Sequence, residues 1–107
     1  MITSRGTTPT YELTFPEDID FTQADEIIVT FSEPDYDVIL ELTGTEIEIT
    51  EDNVLSVYLT QEQTLLFTTN TVLLQVNWTY QEGGNTRRCA SDIAKIKPVR
   101  NLKNEVI

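Results

Sequence analysis

Apolar and polar residues alternate along most of this chain with a period of two. Tyr11, Leu13 and Phe15 are separated by Glu12 and Thr14, and Ile27, Val29 and Phe31 form the next set. Val38, Leu40 and Leu42 follow, then Ile47 with Ile49, then Leu55, Val57 and Leu59. The longest run is Val72, Leu74, Val76, Trp78 and Tyr80. A period of two sends successive side chains to opposite faces, so each run reads as a strand with one face toward a core. A final strand is expected from about Thr86 to Lys97, with Ala90, Ala94 and Ile96 inward and Pro98 ending it.

The segments between these runs carry turn chemistry. Ser32-Glu33-Pro34-Asp35 combines a proline that presets φ with side chains that bond nearby backbone, so the flanking runs read as a hairpin. Gly83-Gly84-Asn85 supplies residues tolerant of positive φ for a second hairpin tip. One segment departs from the strand pattern. Thr60 stands three residues before Gln63, the spacing of a capping box, and Leu65 and Leu66 follow. A short helix from Thr60 to Leu66 is predicted there.

About seven short strands with regular turns and no long helical period indicate an all-β fold. The expected architecture is a two-layer antiparallel immunoglobulin-like β-sandwich with one short helical turn, a small barrel being the competitor. Residues 1–107 form one domain, with 1–9 as an extended lead-in and 99–107 as a C-terminal tail. The expected core is Leu13, Phe15, Ile27, Val29, Phe31, Val38, Leu40, Leu55, Val57, Leu59, Leu65, Val72, Leu74, Val76 and Trp78.

Charge adds a second layer of information. The chain has 18 acidic and 7 basic residues, a net charge of −11. No Lys or Arg lies between Gly6 and Thr86, whereas Arg87, Arg88, Lys95, Lys97, Arg100 and Lys103 crowd the C-terminal end. An acidic body repels phosphate backbones and anionic lipid, so neither direct nucleic-acid binding nor membrane binding is expected. The charge can serve solubility, it can let the basic end of one molecule dock on an acidic body, or it can imitate DNA. No apolar run approaches the length of a membrane helix, and no charged-then-apolar leader opens the chain, so export by a signal peptide is not expected.

Candidate chemistry is sparse. Histidine is absent and Cys89 is the single cysteine, which removes His-based catalysis, intrachain disulfides and thiolate metal clusters. The acidic groups Glu17-Asp18-Asp20, Glu33-Asp35-Asp37 and Glu51-Asp52 fall in turns without a calcium-loop motif, and no cleft is expected around them. No catalytic residue, metal ligand or cofactor is assigned. Cys89, beside Arg87 and Arg88, reads as a half-buried core thiol. Trp78 and Tyr80 read as core and its rim rather than as a sugar platform, which leaves a carbohydrate-binding module as a weak third option.

Several pieces of the chain prompt a family comparison. They are Arg5-Gly6-Thr7-Thr8-Pro9-Thr10 before Leu13-Thr14-Phe15, Asp20-Phe21-Thr22-Gln23-Ala24 before Ile28-Val29-Thr30-Phe31, Leu59 to Leu65, and Asn101 to Ile107. Together they resemble small structural proteins of tailed phages and prophages of gut Firmicutes. They are also similar to the immunoglobulin-like N-terminal domain of phage baseplate upper proteins. The resemblance implies a non-enzymatic virion structural or assembly protein at the tail or baseplate, made in the bacterial cytoplasm and acting through contacts with other phage structural proteins. A small acidic inhibitor of the DNA-mimic type is the alternative. Ile2, Arg5, Arg100, Leu102, Lys103, Val106 and Ile107 are the expected partner-binding residues, because apolar residues in both termini have no evident place in the core and could complete a neighbour's sheet. A homo-oligomer held by edge strands or termini is one expected outcome.

Overall fold

The computed structural model describes residues 1–103 and 105–107; Asn104, within the expected tail, lies outside the described residues. The chain forms strands β1 (Ile2–Ser4), β2 (Thr10–Thr14), β3 (Glu26–Ser32), β4 (Val38–Thr43), β5 (Ile47–Glu51) and β6 (Val54–Tyr58). Helix α1 (Gln61–Leu65) follows, then β7 (Val72–Glu82), β8 (Asn85–Ala90) and β9 (Ala94–Val99). Two sheets result. The larger runs β1-β9-β7-β3-β4 with β8 also paired to β7, and the smaller runs β2-β6-β5. The fold is therefore all-β, and the sandwich expected from the sequence is present.

Its topology is immunoglobulin-like. That fold packs strands A, B, E and D against C, F and G. Here β2-β6-β5 takes the places of B, E and D, and β3, β7 and β8–β9 take those of C, F and G. One pairing departs from the antiparallel rule. β1 runs parallel to β9, with Ile2 opposite Lys97 and Ser4 opposite Val99. The extended lead-in thus begins with a strand that belongs to this chain's own larger sheet.

The two facing sheets enclose Phe21, Val29, Phe31, Leu42, Leu55, Val57, Leu59, Phe67, Val72, Val76 and Ile96, each nearly inaccessible. Each such side chain contributes about 1.5–3 kcal/mol by leaving water. Trp78 lies edge-on to Phe15 and Phe21, with centroids 5.8 and 5.2 Å away. Phe21 reaches this cluster because residues Phe21–Gln23 form a 3-10 turn capped by Asp20, whose side chain accepts from the Thr22 N–H. Helix α1 starts as its sequence dictates. The Thr60 hydroxyl accepts from the Gln63 N–H, and the Gln63 side chain accepts from the Thr60 N–H.

Two register shifts move residues away from their expected places. A bulge between β3 and β4 pairs Phe31 with Leu40 but Ser32 with Val38, so Val38 turns outward and is 58% exposed. Between β8 and β9 the chain advances four positions, from Ala90 to Ala94, where β7 spans three, from Asn77 to Leu74. The odd residue reverses the facing: Cys89 packs half-buried against the core, and Ala90, expected inward, is exposed. The expected single last strand is accordingly two strands, joined through Ser91, whose hydroxyl accepts from the Val76 N–H. Pro98 sits inside β9 rather than ending it. Lys97 N–H and Val99 C=O bond toward β1, so the Pro98 nitrogen points to the other side, where pairing with β7 has already stopped at Ile96.

Candidate assembly surface

The acidic groups do not converge. Glu17, Asp18, Asp20, Glu51 and Asp52 lie at the end of the sandwich where Phe21 N–H bonds Asp52 C=O and Asp25 N–H bonds Thr79 C=O. Glu33, Asp35 and Asp37 crown the β3–β4 hairpin at the opposite end, their carboxylates within 4.8 Å of one another. The loop joining β3 to β4 is tight. Tyr36 N–H bonds Glu33 C=O, and Glu33 N–H bonds Asp37 C=O, with Tyr36 at φ 70°. This is a type I turn followed by a left-handed residue, a position that usually belongs to glycine or asparagine. Arg88 turns away from Cys89 to donate to Asn77 Oδ1 at 3.3 Å, and Arg87 stands 3.6 Å from Glu82 in solvent.

The residues expected to bind a partner are separated by the fold. Arg5 is a tie within the molecule: its guanidinium donates to the Leu65 carbonyl at the end of α1 at 3.0 Å, and its Nε is buried. Ile2 has its backbone paired to β9, while its side chain is 73% exposed on the outer face of the larger sheet. Arg100, Leu102, Lys103, Val106 and Ile107 are all exposed. The tail folds back over the lead-in and α1 through few polar contacts. Asn101 donates to the Arg5 carbonyl, Gln61 exchanges hydrogen bonds with the Ile107 backbone, and Lys103 pairs with Glu105.

A surface that the sequence reading did not single out lies along β2. Phe15 N–H bonds Asn53 C=O, and Leu59 N–H bonds Pro9 C=O, so the odd-numbered residues of this strand face β6. The N–H and C=O groups of Thr10, Glu12 and Thr14 consequently point to the free edge, where the smaller sheet ends. In the A-B-E-D arrangement a strand A covers this edge. Here β1 pairs with β9 instead, and among the described residues the position beside β2 is open. Beside it runs a cleft of about 490 Å³ lined by Glu12, Leu13, Phe15, Ile19, Leu74, Val76, Trp78, Ala94, Asp92 and neighbours. Leu13 and Phe15, expected in the core, are only half-buried because they form its wall.

This arrangement can accept an extended segment. The exposed edge supplies main-chain hydrogen bonds, and the cleft supplies sites for alternate side chains. The chain matches no protein-family model and no curated protein.

Proposed function

We propose that this chain is a non-enzymatic structural or assembly protein of a phage particle, associated with the tail or baseplate and working through protein–protein contacts. The observation that carries the reading is the bare β2 edge beside an apolar cleft, a sandwich left open at one strand position. The sequence resemblance to small tailed-phage structural proteins supplies the setting. An extended segment of another phage structural protein, or the tail of a neighbouring copy, adds beside Thr10, Glu12 and Thr14 and places alternate side chains against Leu13, Phe15 and Trp78. The tail fits the donor part. Leu102, Val106 and Ile107 are exposed, and Arg100 and Lys103 would meet Glu12 and Asp92 at the cleft. Such pairing gives steering and register more than affinity. This reading involves no cofactor, metal, nucleic acid or membrane.

The test has two parts. Purified particles of the phage that encodes the chain are expected to contain it in a fixed ratio to a tail protein by mass spectrometry; its absence from particles overturns the reading. Deleting residues 101–107 is expected to lower its retention in assembling tails in a salt-dependent way, and unchanged retention removes the tail as donor.

A DNA-mimic inhibitor is the second reading, favoured by the run from Gly6 to Thr86 with 16 acids and no Lys or Arg. Acid placement speaks against it. A mimic needs carboxylates spaced along one convex face, and here they are divided between turns at both ends of the sandwich and separate strands such as β2 (Glu12), β4 (Glu41) and β5 (Glu48). Competition against duplex DNA for a nucleic-acid-binding protein separates the two readings.

A further inference from the structure

The outer face of the larger sheet carries an apolar strip with opposite charges on its two flanks. Strand pairing sets Lys95 beside Leu73, Leu73 beside Ser32, and Ser32 beside Val38 in one row across four strands. Tyr36 (69% exposed), Val38 and Ile93 stand around this row. With Leu73, Ser32, Thr30, Gln75 and Asn77 they line a shallow hollow of about 200 Å³. Lys95 and Lys97 project on the β9 flank, with Ile2 beside Lys97. The β4 flank holds the acidic hairpin tip of Glu33, Asp35 and Asp37, and Glu41 faces outward opposite Thr30. Strands lie about 4.8 Å apart, so three strand spacings put the flanks about 14 Å from one another.

We infer that this face pairs with the same face of a second copy of the chain, about a two-fold axis that lies in the interface and runs along the strands. Such an axis exchanges the two flanks. Lys95 and Lys97 of one copy then face the acidic hairpin tip of the other, and the contact occurs twice, as an isologous interface requires. Tyr36, Val38 and Ile93 of both copies close the centre above the buried Leu73. The order of charges selects this occupant. A partner must present basic, apolar and acidic positions in the reversed order, and a two-fold copy of the face does so. The net charge of −11 opposes indiscriminate association. The carboxylates of Glu17, Asp18, Asp20, Glu51 and Asp52 lie at the far end of the sandwich, and at physiological salt such charges are screened within about 8 Å. The exposed Tyr36 ring, held out by a left-handed backbone, has the character of an interface anchor. The inference concerns a face remote from the β2 edge and stands or falls independently of the phage reading.

Sedimentation equilibrium of the full chain over a concentration ladder up to about 1 mM tests it. A concentration-dependent dimer is expected. Tyr36→Asn or Val38→Glu, both at exposed positions, should weaken it at least about tenfold. Two charge reversals, Lys95→Glu with Lys97→Glu in one chain and Asp35→Lys with Asp37→Lys in another, should each abolish self-pairing. Mixed together, the two reversed chains should form a one-to-one heterodimer, since one then presents acid on both flanks and the other base on both. A chain that stays monomeric throughout overturns the inference. A dimer indifferent to these substitutions, or reversed chains that fail to pair when mixed, overturns it equally.

Discussion

The hydroxyls of Thr3 and Tyr11 share a buried hydrogen bond that joins β1, the edge of the larger sheet, to β2, the edge of the smaller. It fastens the seam between the layers at one point, while a few residues further along β2 the same seam opens into the cleft beside Leu13 and Phe15. Both groups are removed from water, Thr3 at 4% and Tyr11 at 7% exposure, so each depends on the other for a polar partner.

That dependence predicts strong coupling. Thr3→Val or Tyr11→Phe alone leaves a buried hydroxyl without its partner and should cost about 1–2 kcal/mol of unfolding free energy. The double substitution should cost clearly less than the sum, because nothing polar is then left unpaired. Chemical denaturation of the four chains measures the coupling; additive losses would show that the two hydroxyls do not rely on each other.

Alkaline pH should act on the same bond. Burial pushes the Tyr11 phenol above its ordinary value of 10.0, an effect larger than the opposing influence of its bond to Thr3. The folded state therefore holds this proton more tightly than the unfolded chain does. Its contribution is complete below the unfolded value and is lost as pH rises from there through the folded value. Urea midpoints should fall more steeply above pH about 10 for the native chain than for Tyr11→Phe. Equal slopes would contradict the prediction.

Tyr36 offers a stability change of opposite sign. A bulky residue at φ 70° is strained, and no packing rewards it, since the ring is 69% exposed. Tyr36→Asn should raise unfolding free energy by about 0.5–1 kcal/mol in dilute solution, where self-pairing does not contribute. A gain in the isolated chain together with a weaker dimer would mean that the residue is retained for contact rather than for folding. A loss of stability on substitution would mean that the loop needs the tyrosine locally.

What could be read from the sequence was local. Thr60 and Gln63 are three residues apart, and their reciprocal bonds need no information from elsewhere in the chain. The Gly83-Gly84 tip is similar: both residues have positive φ, as a two-residue hairpin with matching twist demands. Val38 and Ala90 were misplaced because one extra residue in a strand reverses every facing beyond it, and alternation alone does not reveal the insertion. Phe21 and Phe67 are core residues in non-strand segments, where the period-two signal has nothing to report. The residues expected to bind a partner differ in how local their surroundings are. Leu102, Val106 and Ile107 belong to no alternating run, and they are exposed. The commitment of Arg5 to the Leu65 carbonyl spans sixty residues and has no local signature. The open edge of β2 depends on the destination of β1, a pairing between the two extremes of the chain.

That destination also sets an order of events during synthesis. Ile2 finds its partner in Lys97, so β1 has no place in the sheet until β9 has been made. A nascent chain must carry β1 unpaired while the rest of the larger sheet assembles, and contacts this distant in sequence are slow to close. Strand β9 therefore acts as a clasp. Until β9 emerges, both the first strand and the β2 edge it leaves uncovered are open to other chains, and completion of the clasp withdraws only the first.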